Sequence, residues 1–460
     1  MAHRPGSYLI TNATVLDGTE DMEPRRNMAL IIEEGKIQSI VPTALAMEPP
    51  LSKVINLHGA YLMPGLVNMH AHFIGSGKPV SSGNAGDLFK KADNAAGHLL
   101  VENIIKGSAQ QQLASGVTTV RGAGDPFFAD ITVRDSIEVG RYQGPRILAP
   151  GTGITVPGGH GAGLFAREVE TPEEAAAMVR ETVVEGADLI KLFITGGVYD
   201  ATAPGEPGTL RMSLPIARAA CQTAHKYGKT VMAHVESTEG VRVALLAGVD
   251  TVEHGAPMTD EIRALYHGAA GTQLPGRMPS VTCTISPALP YVALDPEKTQ
   301  STEVQKLNAD VVFTGIVESA REALADGIPV GLGTDSSCPY VTHYDMWREV
   351  AYFQKYAGVS NKFALHTATQ VNAQLLGLGD VTGTIETGKD ADLIVCDRNP
   401  LDDLSALSRV RYVMTRGKLV EKLRVKHMDE LDQELDGIMA QPAEDVLEQC
   451  RKEGAGLEDA

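Results

Sequence analysis

Positive charge is scarce in this chain: 40 lysines and arginines stand against 58 aspartates and glutamates, a formal net charge of -18 over 460 residues. Nucleic-acid binding needs clustered Lys and Arg to meet phosphates, and docking on anionic lipid needs them too. Neither partner is expected. Long hydrophobic runs are missing as well. No apolar stretch approaches the ~20 residues of a membrane span. Met1 to Gly6 carries no apolar core of a signal peptide. Cysteine is sparse: Cys221, Cys283, Cys338, Cys396 and Cys450 are odd in number and scattered. They form neither a Cys-x-x-Cys zinc pattern nor a disulfide framework. The expectation is a cytoplasmic protein. Internal repeats and low-complexity tracts are also lacking.

What is present is a large potential core, with 43% hydrophobic residues. One domain per ~150 residues would give three units, whereas a βα barrel of ~250 residues would give one large domain with additions. Residues 8 to 62 carry short strand-like runs with period-two patterning, as in Leu30-Ile31-Ile32 and Ile37-Gln38-Ser39-Ile40. From His70 to Leu378 apolar runs alternate with helix-like segments such as 172–185, 215–227 and 302–325. The runs are Val117–Val120, Arg146–Ala149, Leu189–Phe193, Thr230–His234, Thr251–His254, Ser280–Cys283 and Pro329–Asp335. With His70-Ala71-His72 as the first strand they make eight, the number that closes a (β/α)8 TIM barrel. β character returns in Ala391–Val395 and Val410–Met414.

The expected organisation is therefore an α/β chain with a (β/α)8 barrel over 64–383. A small β-sandwich would be built from 1–63 and 384–423. The acidic, helical tail over 424–460 reads as a solvated appendage or an oligomer contact.

Chemistry-bearing residues fall at the ends of these strands, where barrels keep their working groups. Met63-Pro64-Gly65-Leu66-Val67-Asn68-Met69 leads into His70 and His72. Two apart on an extended segment, they project from one face and can hold one divalent metal. Lys191 interrupts the apolar run from Ala187 to Thr195, and a buried lysine is costly unless paired or neutral. His234, His254 and Asp335 each end a later run. Taken singly, these are a core ion pair, two hydrogen-bonded core histidines and a helix cap. Together they lie at the ends of strands one, four, five, six and eight. Their nitrogen and carboxylate donors suit zinc and its neighbours.

The ordered motifs are Pro64 to His72, Gly116 to Arg121, Gly158-Gly159-His160-Gly161, Gly186 to Lys191, Ala233-His234, Glu253-His254-Gly255, Gly333-Thr334-Asp335 and Gly388 to Leu393. In these motifs, from about Tyr8 to Val420, the chain resembles the metal-dependent amidohydrolase superfamily. The branch it resembles contains imidazolonepropionase-like proteins and bacterial prolidases. The resemblance implies that His70, His72 and Asp335 hold one metal, and His234 and His254 a second. It also implies that Lys191, carboxylated by carbon dioxide, bridges two zinc ions. A shared hydroxide would be the nucleophile, and Asp335 would carry its proton to the leaving nitrogen. Without carboxylation, a single-metal site on the histidines and Asp335 is the fallback.

A second tier of residues would meet the substrate. His160 sits on a Gly-rich loop and would stabilise an oxyanion, or else cap a turn. His343 would touch substrate or orient Asp335. Arg121 would bind a substrate carboxylate or form a barrel-mouth ion pair. Tyr199 and Arg211 belong to a long loop suited to a specificity wall. Glu236 stands where prolidase-like relatives usually carry a tyrosine that helps hold a terminal carboxylate. A carboxylate there repels an anionic end and favours a cation or hydrogen-bond donor, unless another loop residue pairs with it.

The leading expectation is a prolidase-like dipeptidase or N-acyl amino acid hydrolase cutting amide C–N bonds. A cyclic amidohydrolase or deaminase of a small heterocycle is the alternative, and a non-catalytic binding or assembly module the minor one. A homo-oligomer acting on a small-molecule or dipeptide substrate is expected.

Overall fold

Apolar residues that alternate with helices over nearly three hundred positions form eight parallel strands. The first is Leu66–Ala71 and the second Val117–Gly122. The third breaks at Pro150 into Arg146–Leu148 and Gly153–Thr155. The fourth to eighth are Ile190–Phe193, Val231–Val235, Thr251–His254, Ser280–Cys283 and Val330–Leu332. A computed structural model of the protein describes residues 6–79, 91–272, 274 and 276–454. The amino-terminal residues read for a leader, and the last residues of the tail, lie largely outside this set.

The strands read as unbroken hydrophobic runs because helices cover one face and the barrel interior the other. Neighbours pair in parallel from the first strand to the third and from the resumed third to the eighth. Backbone bonds cross the last seam: Thr334 and Asp335 amides donate to the His70 carbonyl, and His72 N donates to Ser336 O. Gly333 permits this approach, since a Cβ there would lie 2.4 Å from the His70 Cβ.

The helices start where local chemistry dictates. Pro172–Val184 has Thr171 capping the Glu174 amide, a proline at its start and acids in its first turn. Glu303–Ala325 opens on a capping box between Thr302 and Gln305. With Leu214–Lys226, these lie within one residue of the spans read from sequence. Among the described residues, no helix is long and apolar enough to cross a membrane.

The two flanking β pieces merge into one eight-stranded hydrogen-bonded sheet. Leu393–Cys396 pairs antiparallel with Tyr61–Pro64, which joins the carboxy-terminal strands to the amino-terminal ones. Leu30, Ile32, Ile37, Leu62, Leu393, Val395 and Met414 form a core of their own, apart from the barrel core.

The tail departs from its expected solvated character. Helices Asp429–Ala440 and Ala443–Gly454 bury Leu431, Leu435, Ile438, Val446, Leu447 and Cys450. The second packs on Glu303–Ala325. Arg348 reaches Asp436 at 2.8 Å, and Lys355 donates to the Met439 carbonyl. Acidic composition hid an apolar stripe at helical spacing, and that stripe decides where a helix goes. Leu435→Ala should lower stability by about 2–5 kcal/mol, as for other buried leucines. Exposed Gln433→Ala should stay within about 0.5 kcal/mol. Urea midpoints of the two variants check the difference.

Candidate metal centre

The first strand ends by turning His70 and His72 to one side. Asp335, just past the eighth strand, lies across the seam from them. Its Oδ1 is 3.3 Å from His70 Nε2 and 3.6 Å from His72 Nε2. These three residues offer ligand atoms within 4.8 Å of one another, and His234, Glu236 and His254 form a second such group. The groups adjoin: the His254 ring centroid is 5.0 Å from that of His70 and 4.6 Å from that of His234. His254 and Asp335 both adopt left-handed backbone, with φ of 69° and 56°. Such residues cost about 1–3 kcal/mol each and persist where the surroundings over-determine them, as at functional sites.

Each histidine has one nitrogen already engaged. His70 Nδ1 lies 2.7 Å from Glu253 Oε2, and His254 Nδ1 2.6 Å from Thr284 Oγ1. His72 Nδ1 meets the Gly124 carbonyl, and His234 Nε2 lies 2.7 Å from the Gly196 carbonyl. The acceptors behind His70, His72 and His234 fix their tautomers, and the opposite nitrogen of each ring is left for a metal. Burial lowers His72 to about 3 and holds His234 and His254 well below the ordinary histidine value. Their imidazoles are neutral near pH 7, the form that ligates.

Lys191 is 1% exposed, and its Nζ has no hydrogen-bond partner. Burial lowers its pKa to about 8, although Glu253 and Asp335 pull the other way. A larger share of neutral amine is therefore available than on an exposed lysine. His254 Nε2 and Glu236 Oε2 are likewise buried without a partner. Orphans of this kind cost about 1–3 kcal/mol each, and native structures keep few of them. Lys191 Nζ, His254 Nε2 and Asp335 Oδ1, orphans within one cluster of imidazoles and carboxylates, fit a divalent cation bound by nitrogen and oxygen.

The cluster forms part of the wall of a cavity of about 400 Å³. Tyr199 lines it and donates from its hydroxyl to the Pro287 carbonyl at 3.1 Å. His160 lines it too. Its Nδ1 is hydrogen-bonded to Asp200, and its ring stacks on His234 at 4.4 Å. Gly197 makes room for that ring, since a Cβ there would lie 2.4 Å from His160 Nδ1. Glu236 faces the same space, with no lysine or arginine paired to it in the way its loop-partner reading required. Burial first, then Asp335 and Asp200, push its carboxyl well above the usual range.

Arg121, Arg211 and His343 do not line the cavity, and Arg121 takes the ion-pair alternative, inside the barrel rather than at its mouth. Arg121 is in the barrel interior, where it bonds Glu253 at 2.8 and 2.9 Å, Thr251 at 2.8 Å and the Met69 carbonyl at 2.6 Å. Every donor group is spent on the barrel, because an interior guanidinium must be paired. Arg211 pairs with Glu206 at 2.6 Å on its own loop and does not line the cavity. His343 is 2.7 Å through Nε2 from the Gly75 carbonyl and stacks on Phe73, so it braces the loop after the first strand.

Sequence reading passed over Glu253, although it interrupts an apolar strand as Lys191 does. Burial would raise it, but Arg121 and His70 hold it at about 2. Asp200, Cys338, Tyr291, Phe165 and Phe193 also line the cavity. They come from separate loops and strands, with no local pattern to mark them.

Residues 61–420 match the model of the amidohydrolase family. A candidate prolidase of Bifidobacterium longum superimposes with a TM-score of 0.83 at 37% identity, over 94% of this chain and 99% of that one. A Xaa-Pro dipeptidase with methionine bound in its active site superimposes with a TM-score of 0.74 at 29% identity, over 90% and 100% of the two chains. The ochratoxinase of Aspergillus niger is 25% identical over 430 residues, 87% of this chain and 84% of its own length.

Arg121→Met would leave Glu253 a buried carboxylate with only His70 and hydroxyls beside it. A loss of about 3–5 kcal/mol is expected, as when one partner of a buried pair is removed. Arg121→Met combined with Glu253→Gln should lose less than Arg121→Met alone. Urea midpoints of the single and double variants decide this.

Proposed function

The chain belongs to the amidohydrolase family, and from that premise we propose that it hydrolyses an amide C–N bond in a small, dipeptide-like substrate. The observation that carries this reading is the juxtaposition, on one cavity, of two ligand groups with the unpartnered Nζ of Lys191. His70, His72 and Asp335 would hold one divalent ion, and His234 and His254 a second. Lys191 would bridge them as a carbamate: its neutral amine adds to carbon dioxide, an N–C bond forms and a proton leaves. Carboxylation turns a costly buried amine into an anionic oxygen ligand. When bound, the metal supplies Lewis acidity that polarises a carbonyl and acidifies water. Zinc suits this mixed nitrogen and oxygen set.

The chain's own residues do the rest. Asp335, between His70 and His72 at the cavity wall, would take the proton of the attacking water and deliver it to the leaving nitrogen. His160, held by Asp200 through Nδ1, would offer its other nitrogen to a developing oxyanion. The family match and the two prolidase-type structural neighbours support a C–N bond as the target.

Metal analysis and a substrate screen test the reading together. Protein reconstituted with zinc and carbon dioxide should hold two equivalents, and Lys191→Ala no more than one. Dipeptides, N-acyl amino acids and cyclic amides form the screen. Asp335→Asn should lower kcat by about 100-fold or more, the usual scale for a lost proton carrier. Full turnover by a metal-loaded Asp335→Asn variant would remove Asp335 from the proton path.

A further inference from the structure

The cavity is poor in positive charge beyond its metal ligands. Among the described residues that line it, Lys191 is the one lysine or arginine. Arg121 and Arg211, which could have met a substrate carboxylate, are spent on Glu253 and Glu206. Three carboxylates line the same space: Asp200, Glu236 and Asp335. Asp200 is paired with His160, and Asp335 Oδ1 stands 3.3 and 3.6 Å from the Nε2 atoms of His70 and His72. Glu236, its Oε1 4.0 Å from His234 Nε2, has no lysine or arginine paired with it among the described residues. Its side chain is 8% exposed, its Oε2 accepts no hydrogen bond, and its backbone is anchored by Glu236 N donating to Thr195 Oγ1 at 3.0 Å. A buried carboxylate with no lysine or arginine beside it is costly, and a ligand that brings the opposite charge removes that cost.

Glu236 stands beside the metal-ligand candidates and groups with His234 and His254. Its Oε1 lies 4.0 Å from His234 Nε2, the nitrogen already held by the Gly196 carbonyl. The nitrogen left for a metal is Nδ1, on the other edge of the ring. Much of the remaining wall is apolar, with Phe165, Phe193, Val312 and Ile316, and its other polar groups, such as Gln300, Gln305 and Ser337, are uncharged.

We propose that Glu236 is a specificity-determining residue that binds a protonated amine of the substrate. The preferred substrate is then an amine-bearing amide whose remainder is apolar and uncharged. An aminoacyl amide fits this description. An N-acyl amino acid, with a free carboxylate and no amine, does not. This inference rests on the hydrolytic reading above and narrows its substrate class.

The test uses metal-loaded protein and two probes, L-phenylalaninamide and N-acetyl-L-phenylalaninamide, which differ in the charged amine. Binding is measured by calorimetry and hydrolysis in parallel. The charged probe should bind about tenfold or more tightly than the acetylated one, the scale of one charge-assisted hydrogen bond. Glu236→Gln should erase that ratio while metal content stays at the wild-type value, and Glu236→Asp should restore part of it. Equal binding of the two probes overturns the proposal, as does a ratio that survives Glu236→Gln. Loss of metal in Glu236→Gln overturns it too, by making Glu236 a ligand. If the binding preference appears and follows Glu236 while neither probe is hydrolysed, the specificity proposal stands and the hydrolytic reading fails.

Discussion

A single carboxylate inside the barrel, Glu253, ties the site to the scaffold. It is fully buried, and Arg121 from the second strand supplies its counter-charge at 2.8 Å. Thr251 and Thr282 add hydroxyls from the sixth and seventh strands. The remaining oxygen capacity faces His70 Nδ1 on the first strand. An anion in that interior must be surrounded by donors. Meeting this requirement locks strands one, two, six and seven together below the cavity. It also sets the tautomer of His70, so that Nε2 points toward Asp335.

The same logic runs outward in layers. Carbonyls of Gly124 and Gly196 and the hydroxyl of Thr284 hold the other histidines from behind. The ligand face is left short of partners, at Lys191 Nζ and His254 Nε2. A protein interior rarely tolerates this. A bound ion would satisfy several of these orphans at once. Left-handed backbone at His254 and Asp335 belongs to the same arrangement, with local cost held by the surrounding fold. Electrostatics then shape the mouth. The arginines that composition made available are used up in the barrel core and in a loop, and Glu236 remains uncompensated at the cavity.

Much of this was legible in the sequence. Eight apolar runs foretold eight strands, since parallel strands covered on both faces carry a continuous hydrophobic signal. The helix-like segments 172–185 and 302–325 begin within one residue of the observed helices, which Thr171 and Thr302 cap. His70, His72, Lys191, His234, His254 and Asp335 stood out as ionisable groups at strand ends, and all line one cavity. Less legible were Arg121, Arg211 and His343, whose types suit substrate binding and whose partners divert them elsewhere. The tail misled for another reason. Its charge dominates its composition, while six buried residues at helical spacing decide its packing.

By itself the sequence determined the order of strands and helices and the chemical identity of the metal-ligand candidates. Both are written in periodicities and residue types that act over a few positions. Only the tertiary structure decided which polar groups face the cavity and which face one another. Arg121 and Glu253 are 132 positions apart, and Asp335 meets His70 across the barrel seam. Partners this distant leave no local pattern, because Coulomb attraction and burial act through space rather than along the chain. That is why His70 and His72, read together with Lys191, His234, His254 and Asp335, mark a candidate metal site in the sequence, whereas the lack of a lysine or arginine beside Glu236 emerges only once the described cations have been placed.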